Sequence, residues 1–269
     1  MSHIVDSADV VWSVPEYPAR PGPALLVLPH AGGNAHSYGP WRESLPEHIR
    51  LLLGQYPGRG ARFIDPLPVG MDDLAEPVLR ALPPDVDDLV VLGHSMGSLV
   101  AFEVARRLTA AGRAPRGLIV SACRAPDQPN PSPVHPESLN DDELVAVIQA
   151  RGGTDGEILD EPELRELVLP AIRADFAIDD AYRCPAASHT LTCPVAVLGG
   201  DADPVVPVTA LDGWARCTTG PIRVTTFPGG HFYHQRQLAA VMAAVSAAVD
   251  LMTGGPATLA PSIRSGRSK

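Results

Sequence analysis

Basic residues are in short supply in this chain: 21 lysines and arginines face 31 aspartates and glutamates, a formal net charge of −10. A nucleic-acid partner needs a basic face, so this balance argues against one. Aromatic residues make up only 5% of the sequence, which offers no cage of rings around a ligand. Cysteine is sparse as well. Cys123, Cys184, Cys193 and Cys217 form no C-x-x-C pair and have no histidine-rich partner pattern. Reduced, structural thiols in a cytoplasmic protein are therefore expected, in place of a disulfide framework or a metal site. Met1 to Ala24 lacks a basic start followed by an apolar run, so neither a secretory signal nor a membrane span is expected.

What the chain does have is apolar residues in strand-like and helix-like runs that alternate along most of its 269 positions, 45% of them hydrophobic. Alternation of that kind predicts an α/β fold with a mostly parallel central sheet and flanking helices. The expected organisation is one domain over residues 1–253, followed by an Ala/Ser/Arg-rich tail, 254–269, expected to be disordered. No internal repeat is visible.

The most specific motif is Gly93-His94-Ser95-Met96-Gly97. It follows a strand-like run, Asp88 to Leu92, and precedes a helix-like run, Ser98 to Leu108. This is the setting of a G-x-S-x-G nucleophile elbow, a sharp turn that holds a serine hydroxyl clear of the backbone where a base can reach it. Glycines two positions either side of Ser95 permit the turn, because a side chain there would meet the neighbouring strand or helix.

An elbow calls for an acid and then a base later in the chain. Val195 to Gly200 reads as a buried strand running into Asp201-Ala202-Asp203-Pro204, so an acid stands where an open α/β sheet places its ligands. Asp201 and Asp203 both qualify on position. The base comes from Gly229-Gly230-His231-Phe232-Tyr233-His234 after the strand-like Ile222 to Thr226. His231, directly after the glycine pair, fits a short loop over the sheet edge; His234 is expected to begin the last helix. His231 would take the Ser95 proton, and the acid would fix its tautomer and stabilise the imidazolium. Backbone N–H groups must also receive the oxyanion. The Met96 N–H, at the start of the following helix, is one. The loop Pro29-His30-Ala31-Gly32-Gly33 after the early strand Ala24 to Leu28 supplies the other, with Ala31 as first choice and Gly32 as fallback.

Together, Pro29-His30-Ala31-Gly32-Gly33, Tyr56-Pro57-Gly58-Arg59-Gly60, Gly93-His94-Ser95-Met96-Gly97, Leu169 to Phe176 and Gly229-Gly230-His231-Phe232 resemble the type II thioesterases of polyketide synthase and nonribosomal peptide synthetase systems. The likeness runs from about Ala24 to about Met252. It implies an α/β-hydrolase fold, and Gly200-x-x-Asp203-x-x-Val206-Pro207 matches the acid loop of that fold, which favours Asp203 and leaves Asp201 as a turn residue. It also implies hydrolysis of acyl groups from the phosphopantetheine arm of acyl or peptidyl carrier proteins, with no metal or organic cofactor. Carrier proteins are commonly acidic, so docking to this acidic chain is expected to be weak and to use a local basic rim. Arg59, Arg62, Arg124, Arg173 and Arg183 are the candidates.

Residues from about Arg124 to Thr192 separate the strand Leu118 to Ala122 from the acid strand. The run Ala125 to Pro133 is rich in proline and reads as an extended connector. Asn140 then caps a helix, with Glu143 three residues on and Leu144, Val147 and Ile148 on one face. A second helical stretch, from about Pro162 to about Tyr182, is expected to be interrupted near Pro170. The pair is expected to form a lid over the site, with Leu167, Leu169, Ile172, Phe176 and Tyr182 as pocket or core residues. Two other functions fit the same motifs: a hydrolase of oxygen esters or lactones, or an acyltransferase that delivers the group to an alcohol or amine, on the same fold; and a carrier-binding protein without catalysis. The second leaves an intact Ser95, Asp203 and His231 without a purpose.

Overall fold

Short apolar runs bounded by proline, glycine and aspartate become the strands of one sheet. A computed structural model describes residues 10–13, 22–84, 86–152, 159–184 and 191–255 of the chain. The strands are β1 (Val11–Ser13), β2 (Ala24–Leu28), β3 (Arg50–Gly54), β4 (Leu89–His94), β5 (Gly117–Ser121), β6 (Val195–Gly200) and β7 (Ile222–Phe227). Their order across the sheet is β1-β3-β2-β4-β5-β6-β7, parallel except for β1, which pairs antiparallel with β3. Strands β2, β4, β5 and β6 are buried along their whole length, as their unbroken apolar sequences require when both faces are covered. Strand β7 is an edge and leaves Ile222 and Val224 exposed.

The longer helices are α1 (Met71–Ala81), α2 (Met96–Ala110), α3 (Asp141–Arg151), α4 (Pro162–Ala181) and α5 (Leu238–Thr253). Alternation along the strands sorts the core into two layers. Leu26, Leu28, Val91 and Val120 pack with Leu99, Phe102 and Ala105 of α2 and Leu74 and Val78 of α1 on one face. On the other face Leu25, Val27, Val90 and Ile119 pack with Val241, Val245 and Val249 of α5. Each fully buried side chain of this size contributes about 1.5–3 kcal/mol.

The chain steps from β2 outward to β3, then returns past β2 to β4, so the connections leaving β2 and β4 diverge. Open parallel sheets bind ligands outside the carboxyl ends of strands at such a switch point. The loops after β2 and β4 are those that carry Ala31 and Ser95.

Between β5 and β6 lies an insertion with its own small core: Val134, Leu144, Val145, Ile148, Leu159, Leu169, Ile172 and Phe176, with Ala31 packed against it. Helix α3 begins with a capping box. The Asn140 side chain accepts from Glu143 N–H (3.0 Å), and Glu143 accepts from Asn140 N–H (2.8 Å). Helix α4 corrects an expectation, because it runs through Pro170 without interruption. A mid-helix proline removes one hydrogen bond and costs about 3 kcal/mol; burial of Leu169, Ile172 and Phe176 around it offsets that loss. A second correction concerns His234. It belongs to a single turn, Tyr233–Arg236, that Gln237 separates from α5 with a non-helical backbone.

Gly254 ends α5 in the left-handed conformation. Residues 256–269 of the expected tail lie outside the described residues, as do 1–9 and 14–21 near the start and 153–158 and 185–190 of the insertion. Among the described residues no helix is long and apolar enough to cross a membrane.

Candidate active site

Ser95 takes φ 54 and ψ −128, a conformation that few non-glycine residues adopt. It is held there from both sides. Its N–H donates to Ser121 O (2.8 Å), and its carbonyl accepts from Ser98 N–H (2.8 Å). A Cβ on Gly93 would stand 2.0 Å from Gly97 O, and one on Gly97 would stand 2.2 Å from Leu28 O. Both glycines are thus required by close approach of backbone, and the second contact sets the elbow directly against the end of β2. The result is a half-buried hydroxyl at the amino end of α2.

Three loops bring a charge-stabilised base to that hydroxyl. His231 Nε2 lies 2.9 Å from Ser95 Oγ, and His231 Nδ1 lies 2.8 Å from Asp203 Oδ2. A carboxylate only accepts, so Nδ1 carries the proton and Nε2 is left to accept from the serine. Asp203 is fixed in turn, since its Oδ1 accepts from the N–H groups of Val205 (2.7 Å) and Val206 (3.1 Å). The Asp203 and His231 side chains are 1% and 2% exposed, so water does not compete for their contact. Asp201 is elsewhere. It is exposed and braces the base loop by accepting from Gly229 N–H (3.0 Å).

The loop after β2 is a type II turn over His30 to Gly33. Gly33 N–H donates to His30 O (2.9 Å), and Gly32 has φ +77, as the third position of that turn demands. Since the His30 carbonyl faces inward to Gly33, the Ala31 N–H on the same peptide points out of the turn. The fallback donor is already engaged: Gly32 N–H donates to Asp175 Oδ2 (2.8 Å). Met96 N–H belongs to the first turn of α2, where backbone donors have no acceptor within the helix. The turn and the elbow are neighbours through the Gly97 contact with Leu28 and Pro29.

Sequence reading passed over a group of buried rings beneath these loops. His94, inside the elbow motif, places Nδ1 2.8 Å from Ser121 Oγ, which lies 2.7 Å from Tyr233 OH. Its ring centroid is 4.5 Å from that of His234 and 5.4 Å from that of His231. Burial, reinforced by His234, His231 and His30, holds the His94 pKa well below the usual histidine value. Burial and then His231 lower His234 to about 4. Near neutral pH both imidazoles are therefore uncharged and place no positive charge beside the His231 ring. Ser98 is a further hidden part: its hydroxyl donates to Gly93 O (2.7 Å) and accepts from Ser121 N–H (3.1 Å), stitching the elbow to β5. No local pattern marks either residue, because their bonds to Ser121 cross to β5.

The four cysteines are buried, and none is in a disulfide. Burial raises the thiols of Cys123, Cys193 (to about 11) and Cys217 (to about 12), which leaves them poor nucleophiles beside Ser95.

Of the five arginines expected to form a basic rim, four are engaged within the protein. Arg59 is buried and pairs with Asp175. Arg62 is buried against Asp65 (2.8 Å) and Gln55 O (3.0 Å), and Arg124 is buried against Asp179 (2.8 Å). Arg173 binds Leu139 O (2.9 Å) and Asp141 (2.7 Å) inside the insertion. Only Arg183 of the five is exposed. Of the proposed pocket residues, Leu169, Ile172 and Phe176 form the core of the insertion, and Ile172 presses on Gly32. Leu167 is 51% exposed, and Tyr182 turns away to donate to Glu103 of α2 (2.6 Å).

Comparison with known proteins identifies relatives of the chain as a whole. Residues 23–249 match the family model described as a thioesterase domain. Over 212 residues the chain is 41% identical to thioesterase PikA5 of Streptomyces venezuelae, covering 78% of this chain and 74% of that one. It is 35% identical over 219 residues to thioesterase TesA of Mycobacterium marinum, covering 80% and 86% respectively. Among solved structures, the type II thioesterase BorB from the borrelidin biosynthetic cluster superposes with a TM-score of 0.81 at 35% identity, over 91% of this chain and 99% of that one.

Proposed function

The chain belongs to the thioesterase family, and on that premise we propose that Ser95, His231 and Asp203 hydrolyse acyl groups from the phosphopantetheine arms of acyl or peptidyl carrier proteins. The observation that carries the reading is the unbroken hydrogen-bonded line from Asp203 through His231 to Ser95. His231 Nε2 takes the Ser95 proton as Oγ attacks the thioester carbonyl, and the N–H groups of Met96 and Ala31 receive the oxyanion. Collapse of the tetrahedral species breaks the C–S bond, and His231 returns the proton to the departing thiol. A thiol of pKa about 8.5 leaves far more readily than an amine. Water then enters; His231 takes its proton, the acyl-serine is hydrolysed, and Ser95 regains its hydrogen. These steps need no metal or organic cofactor.

Helices α3 and α4 act as a lid whose inner face, Ile172 beside Gly32, covers the oxyanion turn. The arm is thin enough to enter beneath such a cover while the folded carrier stays outside. With four of the five candidate arginines paired within the protein, docking rests on shape and on few charges; of the five, Arg183 is exposed, its guanidinium donating to Asp180 O (3.0 Å) and Tyr182 O (2.6 Å). Buried thiols outside any disulfide suit a reducing, cytoplasmic setting.

Intact-mass spectrometry of acyl-loaded carrier proteins is the test. Wild type should return the free phosphopantetheine form, and Ser95→Ala should not. Cleavage of small oxygen esters with no loss of any acyl group from carriers would make the chain a hydrolase of another substrate class.

A further inference from the structure

The oxyanion turn is tied down at three points, and all three ties involve the segment after β3 or its partner on α4. Tyr56 OH donates to Pro29 O (3.1 Å). Gln55 Oε1 accepts from Ala35 N–H (3.0 Å), while Gln55 Nε2 donates to Arg59 O (3.2 Å). Between these anchors, Gly32 N–H donates to Asp175 Oδ2, and Asp175 is gripped by both terminal nitrogens of Arg59. Asp175 is fully buried, and Arg59 is 7% exposed.

We propose that Asp175, held by Arg59, is a positioning residue for the reaction: by taking the Gly32 N–H it fixes the Ala31–Gly32 peptide, and it thereby ties the oxyanion donor to α4. This rests on the reading of Ala31 N–H as an oxyanion donor. The central peptide of a four-residue turn has two orientations, type I and type II, related by its rotation through half a circle. In the observed one, Gly32 is at φ +77 and its N–H meets the carboxylate. In the other, the Ala31 carbonyl oxygen would face that carboxylate, acceptor against acceptor. A charged acceptor at Asp175 therefore selects the first. The Ala31 N–H lies on the preceding peptide, whose His30 carbonyl accepts from Gly33 N–H (2.9 Å) and so fixes its direction; what the Asp175 bond adds is a fixed place for the turn that carries this donor, between its anchors at Pro29 and Gly32. Preorganised donors stabilise an oxyanion only when they are already in place.

The arrangement also explains why the pair is spent inside the protein. A buried Arg–Asp pair is weak evidence of stability, since apolar residues of similar volume often replace one without loss. Here the carboxylate makes a bond that no apolar residue supplies. Because Asp175 rides on α4 and Ile172 of the same helix presses on Gly32, displacement of α4 would release the turn and the donor together. An enzyme built this way has a complete oxyanion site only while the insertion is seated.

Two double variants separate positioning from packing. Arg59→Met with Asp175→Asn removes both charges but keeps an oxygen that accepts from Gly32 N–H; Arg59→Met with Asp175→Leu keeps the volume and removes the acceptor. Turnover of a small acyl N-acetylcysteamine thioester is measured, so that carrier docking plays no part. Because the donor is then misplaced though still present, the Leu pair should show kcat about a hundredfold below the Asn pair. KM and the pH dependence of kcat/KM should match between the two, while the Leu pair should melt at a lower temperature, because Gly32 N–H loses its buried acceptor. Equal kcat in the two pairs, with turnover in the wild type still dependent on Ser95, overturns the role of Asp175 alone. Turnover that survives Ser95→Ala overturns the catalytic reading and this proposal with it. Should the Leu pair not fold, amide exchange in the wild type decides: Gly32 N–H should exchange as slowly as the amides of β4, and fast exchange contradicts the proposal.

Discussion

The loops at the carboxyl ends of β4, β6 and β7 and the insertion between β5 and β6 hold their polar groups in different ways. In the loops the ties are mostly backbone hydrogen bonds: Ser95 is held by Ser98 N–H and Ser121 O, and Asp203 by the N–H groups of Val205 and Val206. In the insertion, the ties are ion pairs between distant parts of the chain. Arg124 and Asp179 are 55 residues apart, and Arg59 and Asp175 are 116 apart. Neighbouring Asp180 accepts from Val134 and His135 N–H, each at 2.8 Å, and so pins the proline-rich connector to α4. The loops place reacting atoms with local geometry, and the insertion is fastened over them by charge.

If the loops carry the chemistry, the largest effects belong there. Ser95→Ala should lower kcat on thioesters by about 10⁶-fold while the protein stays folded. Asp203→Asn should lower it by about 10⁴-fold, because an amide can donate to Nδ1 and so stabilise the wrong tautomer. Asp201→Asn keeps an oxygen for Gly229 N–H and should leave kcat within about threefold, near the scatter expected of a surface change. A steady-state comparison of the two Asn variants checks the assignment.

The insertion should answer in stability. Arg124→Met strands Asp179 in a buried setting and should cost about 3–5 kcal/mol in denaturant unfolding. Arg183→Glu, at the one exposed arginine of the five, should change stability by no more than about 0.5 kcal/mol. Similar losses in both would mean that the buried pairs do not fasten the insertion.

Between these lies a pH effect at the floor of the site. His234 has a folded-state pKa of about 4 against an ordinary 6.5. A depressed histidine pKa means that the unfolded chain binds the proton first. Its influence is nil above about pH 6.5, and stability falls as pH drops from 6.5 to 4, by about 3 kcal/mol in all. Unfolding midpoints of wild type and His234→Phe across that range should show a shallower slope in the variant, by up to one proton.

Local pattern made the loops legible. The elbow is a contiguous five-residue motif, and alternation of strand and helix runs located β2, β4, β5 and β6 and most of α2. The choice between Asp201 and Asp203 was not settled by spacing, since both follow β6; it turns on which carboxylate meets the ring. Arginines were misread for a related reason. A charge beside a predicted loop is exposed unless a partner finds it, and Asp175 and Asp179 lie far along the chain. Pro170 was read as a break because its local cost is known, whereas the burial around it comes from α3. His94 and Ser98 went unnoticed because their partners sit on β5 and in the base loop.

The central claim is that Ser95 becomes acylated. Wild type mixed with a small acyl N-acetylcysteamine thioester and quenched within the first turnovers should show a mass increase equal to the acyl group less one hydrogen, on the peptide that contains Ser95. The adduct should be absent in Ser95→Ala. An adduct on any cysteine or histidine, with hydrolysis intact in Ser95→Ala, would contradict the account.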